Sequence, residues 1–167
     1  ICDYMLELGW EAYQNDHEDA NGQFEMNWKY DDVLQTADKH RSLKFMVKSI
    51  AEKHGLRATF MPKPFTNLTG NGCHAHVSLW SPSGANVFDD EAGELGLSKI
   101  AYNFIGGLIH SADALAAITN PTVNSYHRLV PGFEAPVSLV YSSRNRSASV
   151  RIPITGANPK AKRIETR

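Results

Sequence analysis

Residues 22–30 alternate between apolar and polar side chains, which is the pattern of a half-buried β-strand. Phe24, Met26 and Trp28 share the apolar face, and Glu25 belongs to the polar face. The pattern therefore predicts a strand that holds the Glu25 carboxylate on a rigid sheet.

Residues 73–80 alternate in the same way and predict a second strand. Side chains at positions i and i+2 of a strand point to the same side, so His74, His76 and Ser78 are expected to share one face. A further strand is predicted at residues 57–61, where the prolines that follow end it.

Two longer segments repeat their apolar residues at helical spacing. The first predicts a helix that begins at an N-cap, Asp31 or Asp32, and runs to about His54, with Gly55 as its C-cap. The second predicts a helix over residues 98–119, which the Asn-Pro pair after it ends. Its predicted apolar stripe consists of Ile100, Phe104, Leu108, Ala112 and Leu115.

The order of these elements indicates the fold class. Strand-rich segments alternate with single long helices, and the last third of the chain is predicted as strands and loops. This order points to an α+β fold in which an antiparallel β-sheet packs with two long helices. The 167 residues, 42% of them hydrophobic, suffice for a buried core, and no repeat or linker divides them.

Charge is unevenly distributed, although the net charge is only −1. Residues 1–32 carry nine acidic residues and one basic residue, whereas residues 128–167 carry eight basic and two acidic residues. One end can gather cations and the other anions, which suits metal ions that hold a phosphorylated ligand. Mutual neutralisation of the two ends explains the distribution equally well. The low net charge argues against a nucleic-acid partner held by charge alone.

The sequence predicts neither a disulfide framework nor a membrane-spanning segment. Two cysteines cannot form a disulfide framework, and they favour a reducing, cytoplasmic setting. Polar residues interrupt the longest apolar stretch, residues 100–118, so no membrane span is predicted, and no signal peptide is expected. The chain starts without methionine and ends without a turn or tail, so it is expected to be a piece of a longer protein.

Two groups of side chains suit metal ions. Glu18 and Glu25 lie on either side of a predicted turn, and carboxylates on a rigid sheet are good ligands for Mg²⁺ or Mn²⁺. A solvated sheet face is the alternative for this pair. His74 and His76 offer two imidazoles, for which Zn²⁺ is one candidate. A mixed site of histidine and carboxylates suits Mg²⁺ or Mn²⁺ better.

Arginines form a third group. Arg144, Arg146 and Arg151 lie near a predicted strand, and guanidinium groups bind phosphate and carboxylate through two parallel hydrogen bonds. Strict alternation puts Arg146 and Arg151 on opposite faces, so a shared site requires a bulge or bend. An exposed basic strand is the alternative interpretation.

Seven motifs follow one another in the order found in glutamine synthetases. They are GQFE at residues 22–25, ATFMPKP at 58–64, GNGCHAH at 70–76, NPTVNSY at 120–126, RLVPGFEAP at 128–136, RNRSA at 144–148 and RIETR at 163–167. Together they are highly specific and cover essentially the whole chain. Residues 1–167 thus resemble the central part of a glutamine synthetase catalytic domain.

The resemblance also implies which residues form the active site. The implied metal ligands, for Mg²⁺ or Mn²⁺, are Glu18, Glu25, His74 and Glu165. The implied ATP-binding residues are His76, Ser78, Arg146, Arg151 and Lys160. The residues implied to bind the substrate glutamate are Thr69, Gly70, Arg128, Glu134, Arg146 and Arg167. Glu134 and Arg146 are the implied catalytic residues, the first accepting a proton from ammonium and the second stabilising the transferring phosphate.

The activity implied by the resemblance is ATP-dependent ligation of ammonia to glutamate, giving glutamine through a γ-glutamyl phosphate. A ligase for methylamine or putrescine and a nonenzymatic structural relative are the alternatives. Asp16 and Thr69 depart from the family pattern, in which many members carry His and Asn. The family's further metal-binding glutamates lie upstream of these motifs, so the chain alone is expected to be inactive. The complete protein is expected to be a cytoplasmic homo-oligomeric ring, commonly a dodecamer.

Overall fold

The chain divides after Thr69 into two units, Ile1–Thr69 and Gly70–Arg167, in a computed structural model that describes all 167 residues. Both units contain helices and strands, which confirms the predicted α+β class. None of the helices combines the length and the apolar character that crossing a membrane requires.

A β-hairpin lies between the two helices of the first unit along the chain. The unit contains helix α1 (Cys2–Glu7), strands β1 (Ala12–His17) and β2 (Phe24–Trp28), and helix α2 (Val33–Lys53). The two strands are antiparallel with Asp16 opposite Glu25, and the Glu18 N–H donates to the Gln23 carbonyl at 2.8 Å. The strand predicted over residues 22–30 is confirmed, although it is shorter at both ends.

Helix α2 begins and ends where its capping residues predict. The Asp32 side chain accepts a hydrogen bond from the Leu34 N–H at the start. Gly55, just beyond the end, has a left-handed φ of 69°, which glycine adopts without strain. The first predicted helix is therefore confirmed.

The strand predicted at residues 57–61 is wrong, because this segment forms no strand. Strand pairing in the first unit joins only β1 to β2. The Met61 N–H donates to the Thr59 side chain instead of to a neighbouring strand. A strand-like run of residues stays irregular when no partner strand accepts its backbone hydrogen bonds.

The second unit contains a four-stranded sheet. Its elements are β3 (Ala75–Val77), α3 (Lys99–His110), α4 (Ala112–Thr119), α5 (Val123–His127), β4 (Ser138–Ser142), β5 (Ala148–Arg151) and β6 (Ile164–Thr166), with 3₁₀ turns at Glu94–Gly96 and Pro159–Ala161. The strand order is β3-β6-β5-β4, in which β6 is antiparallel to both neighbours and β4 is parallel to β5. The expected antiparallel sheet is therefore mixed, because alternation along a strand does not encode the direction of its neighbour.

Two further segments of the second unit differ from prediction. Strand β3 is shorter than the predicted 73–80, since only Ala75–Val77 pairs with β6 and Trp80 forms an isolated bridge with Asn86. Helix α5 lies where only strands and loops are predicted. Thr122 caps it in a capping box.

The helix predicted over residues 98–119 is interrupted at Ser111. The Ser111 backbone, with φ −97° and ψ 9°, separates α3 from α4. The predicted stripe is also wrong at Ile100, which is 51% exposed, whereas Ile105 is 1% exposed. Apolar residues surround much of α3, so spacing alone left its buried side ambiguous. The core of the second unit consists of Phe88, Leu97, Ala101, Ile105, Val150, Ile152 and Ile164.

Candidate active site

One face of the second unit's sheet gathers charged side chains from three strands. His76 in β3 lies opposite Glu165 in β6, and Glu165 lies opposite Arg151 in β5. His74 precedes His76 by two residues and Arg167 follows Glu165 by two, so both side chains belong to the same face. The strand register therefore brings together five of the residues that the family resemblance implies.

Glu165 is the most buried residue of this face, with 0% of its surface exposed. Its Oε2 accepts a hydrogen bond from Arg151 Nε at 2.7 Å, and its Oε1 lies 3.1 Å from His74 Nδ1. Burial by itself raises the pKa of a carboxyl group, but the contact with His74 and the charge of Arg151 lower the pKa of Glu165 to about 2. Glu165 is therefore a buried carboxylate held by cationic neighbours.

His74 lies between Glu165 and Arg128. Arg128 Nη2 is 3.2 Å from His74 Nε2, the ring nitrogen that does not face Glu165. Burial, and then the charge of Arg167, lowers the pKa of Arg128. Gly72 permits the close approach, because a Cβ there would lie 2.6 Å from Arg128 Nη2 and 2.7 Å from His74 Nε2. Gly72 is a site residue to which the family resemblance assigned no role, although it lies inside the GNGCHAH motif.

His76 is oriented by Arg163, a residue to which sequence reasoning assigned no role in the site. Arg163 Nε donates to His76 Nδ1 at 3.0 Å, which leaves Nε2 as the ring nitrogen available to a ligand. Burial lowers the pKa of His76. Ser78 Oγ accepts a hydrogen bond from Trp80 Nε1 at 3.0 Å. Lys160 lies exposed in a 3₁₀ turn, and no hydrogen bond or ion pair joins its side chain to the sheet face.

The implied catalytic residues, Glu134 and Arg146, lie on two different loops. Arg146 Nη1 donates to both carboxylate oxygens of Glu134, at 2.8 and 2.7 Å. The two side chains are 65% and 48% exposed, and an ion pair in contact with solvent is weak enough for a ligand to replace it. The three predicted arginines have different partners in the structure: Arg146 contacts Glu134, Arg151 contacts Glu165, and Arg144 forms no ion pair.

Glu18 and Glu25 come together at the hairpin of the first unit. Burial, followed by the hydrogen bond and the negative charge of Glu25, raises the pKa of Glu18. Thr69 Oγ1 donates to Asp19 Oδ2 at 3.1 Å, so its hydroxyl is engaged by a carboxylate of the same unit. Gly70 begins the second unit, in the segment before β3.

Both pairs of predicted metal ligands fit divalent ions in part. Glu18 and Glu25 form a repelling carboxylate pair that a cation stabilises. Glu165 Oε1 is buried without a well-aligned hydrogen bond, beside a His74 nitrogen. Such donors suit Mg²⁺ or Mn²⁺. Neither unit brings together three or more His, Cys, Asp or Glu side chains that could hold a metal, so each pair supplies two ligands.

Comparison with known proteins yields close relatives. The family model for the glutamine synthetase catalytic domain matches residues 1–167. The glutamine synthetase of Rhizobium meliloti is 63% identical over 163 residues, which cover 93% of this chain and 38% of that protein. The chain therefore spans less than half the length of this curated relative.

Solved structures agree with the sequence comparison. A ligand-free structure of GmaS is 60% identical and superposes with a TM-score of 0.87, over 99% of this chain and 37% of that one. A cryo-electron-microscopy structure of Plasmodium falciparum glutamine synthetase is 39% identical with a TM-score of 0.94, over 99% of this chain and 32% of that one. On the matched family model, the high identities and the shared fold, this chain belongs to the glutamine synthetase catalytic-domain family.

Proposed function

We propose that the complete protein carrying this chain is an ATP-dependent ligase that joins ammonia to the γ-carboxylate of L-glutamate and forms glutamine. The observation that carries the proposal is the contact between Glu134 and Arg146. It pairs a carboxylate that can accept a proton with a guanidinium that can hold a phosphoryl group. Membership of the glutamine synthetase family supports the proposal.

The first chemical step is phosphoryl transfer. A γ-carboxylate oxygen of glutamate attacks the γ-phosphorus of ATP, and ADP leaves. Arg146 and Arg151 are the cationic side chains that stabilise negative charge on the transferring group. Bound Mg²⁺ or Mn²⁺ supplies further neutralisation of the phosphate oxygens. The residues that would hold these ions are Glu18, Glu25, His74 and Glu165.

The second step is attack of the amine. Ammonia adds to the carbonyl carbon of γ-glutamyl phosphate, and phosphate leaves with the oxygen that had attacked ATP. Arg146 cannot hold a phosphoryl group and both oxygens of Glu134 at once through Nη1. A phosphoryl group that replaces Glu134 at Nη1 would free the Glu134 carboxylate to attract ammonium and accept its proton. The ion pair thus links the two steps.

The second candidate function is ligation of methylamine or putrescine to the same γ-carboxylate. The steps and the residues are identical, and only the pocket for the amine differs. The observation that supports this candidate is Thr69, which stands where many family members carry Asn and which is hydrogen-bonded to Asp19. We also propose that the complete protein is a homo-oligomer, as the family resemblance implies.

Steady-state turnover tests the proposal. The complete protein is supplied with glutamate, ATP and Mg²⁺, and with ammonium, methylamine or putrescine in parallel. We expect kcat/KM to be highest with ammonium and the product to be glutamine. A higher kcat/KM with methylamine or putrescine would favour the second candidate. Absence of turnover with all three amines would contradict ligase activity and favour a nonenzymatic relative.

A further inference from the structure

Arg167 contacts several other parts of the second unit. Its side chain is only 6% exposed. Nη2 donates to the backbone carbonyl of Glu134 at 2.8 Å, and Nη1 donates to the backbone carbonyl of Arg146. Nε lies 3.7 Å from the Glu165 carboxylate. The guanidinium therefore joins three other parts of the second unit.

The two carbonyls belong to different loops. Glu134 lies in the loop before β4, and Arg146 lies in the loop between β4 and β5. Each loop carries one partner of the Glu134–Arg146 ion pair. Arg167 itself is anchored by the sheet, because its N–H donates to the Ser149 carbonyl at 3.1 Å. One anchored side chain thus contacts both loops, beside the backbone hydrogen bond that the Ser138 N–H donates to the Ser147 carbonyl at 3.0 Å.

The backbone of the Glu134 loop needs such support. Glu134 has a φ of 55°, in the left-handed region that residues with a Cβ rarely adopt. Strained backbone of this kind persists where surrounding contacts hold it. The hydrogen bond from Arg167 Nη2 is made to the carbonyl of the strained residue itself.

We propose that Arg167 is a positioning residue that tethers the Glu134 loop and the Arg146 loop to the end of strand β6. This tether, formed by the two hydrogen bonds of its guanidinium, holds the Glu134 carboxylate and the Arg146 guanidinium within contact distance of each other. Its catalytic consequence rests on the function proposed above. The family resemblance implies in addition that Arg167 contacts the substrate glutamate. The two roles predict different results, because a residue that contacts substrate leaves the loops of the ligand-free protein unchanged.

Hydrogen exchange of the complete, ligand-free protein tests the tether without using activity. The variants are Arg167→Gln, which cannot provide the ionic contact, and Arg167→Lys, which keeps the charge but has one donor centre for two carbonyls. Arg144→Gln is the matched control, since Arg144 lies in the same loop as Arg146, is exposed and forms no ion pair. We expect the amides of residues 132–135 and 144–148 to exchange about tenfold faster or more in both Arg167 variants, because loss of the Arg167 hydrogen bonds lowers the free energy of local opening.

The outcomes separate the two roles. Native exchange rates at both loops in Arg167→Lys would overturn the tether. If Arg167→Gln also unfolds helix α3, the charge-retaining Arg167→Lys variant decides the question.

Kinetics of the same variants provide a second test. A positioning role predicts that Arg167→Lys lowers kcat by about tenfold or more while the glutamate KM changes little, since misplaced groups mainly slow chemistry. A raised glutamate KM with native kcat and native exchange would show direct substrate contact and overturn the proposal. Absence of turnover in the unsubstituted protein would refute the proposed function. The hydrogen-exchange result would still test whether Arg167 holds the two loops, because it does not depend on activity.

Discussion

Replacing Glu165 by glutamine removes a buried negative charge while keeping the shape of the side chain. The pKa of Glu165 falls from 4.5 to about 2 on folding. A difference of about 2.5 pKa units corresponds to about 3 kcal/mol of folding free energy, at about 1.4 kcal/mol per unit. The same order of magnitude, about 3–5 kcal/mol, applies to breaking a buried ion pair by removal of one partner. We therefore expect Glu165→Gln to destabilise the protein by about 3 kcal/mol at pH 7.

The pH dependence has a definite sign. Because the folded-state pKa lies below the unfolded-state pKa, the charge stabilises the protein above pH 4.5, and this stabilisation is lost as the pH falls toward 2. The difference between the native protein and Glu165→Gln should therefore shrink from about 3 kcal/mol at pH 7 to about 2 kcal/mol at pH 3.5.

Urea unfolding followed by intrinsic fluorescence measures this difference. Both proteins are compared at one protomer concentration and with a chelator present, so that neither assembly nor a bound metal alters the comparison. Glu91→Gln is the control, because Glu91 is an exposed glutamate of the same unit and forms no ion pair. A Glu165→Gln variant as stable at pH 7 as Glu91→Gln would refute the argument that Glu165 is a stabilised buried carboxylate.

Three further substitutions test the site and the core. Arg146→Ala should lower kcat by about 100-fold or more, because a contact to the transferring phosphoryl group is lost. Arg144→Ala is the control, and equal, mild effects of the two substitutions in the same assay would refute the role of Arg146 in phosphoryl transfer. Glu25→Gln should weaken Mn²⁺ binding by about tenfold or more, measured by electron paramagnetic resonance of free Mn²⁺, and native affinity would exclude Glu25 as a ligand. Ile105→Ala should lower the free energy of unfolding in urea by about 2–5 kcal/mol, because Ile105 is 1% exposed. Ile118 is 78% exposed and should tolerate the same substitution, so equal losses of stability would contradict the assigned core.

The sequence predicted best those features that depend on neighbouring residues. Helix α2 carries its own capping signals, Asp32 and Gly55, and both function as predicted. The alternation over residues 22–30 predicted strand β2, although burial along the strand does not alternate, because Phe24 is exposed as well as Glu25. The motifs also named residues that the strand register of the second unit brings to one face.

Features that depend on distant partners could not be predicted in the same way. Residues 57–61 have the composition of a strand but lack a partner, and the parallel pairing of β4 with β5 has no local signal. The contact between Arg163 and His76 joins residues 87 positions apart, so it appears only when β3 and β6 are paired. The space that Gly72 leaves for the Arg128 side chain likewise depends on the folded chain.

The most direct test of the ligase chemistry follows one oxygen atom. The complete protein is supplied with ATP, ammonium and L-glutamate whose γ-carboxylate carries oxygen-18, and the released phosphate is analysed by mass spectrometry. If a γ-carboxylate oxygen attacks ATP and later leaves with phosphate, each phosphate formed with glutamine should contain one labelled oxygen. Glutamine formed together with unlabelled phosphate would contradict a γ-glutamyl phosphate intermediate.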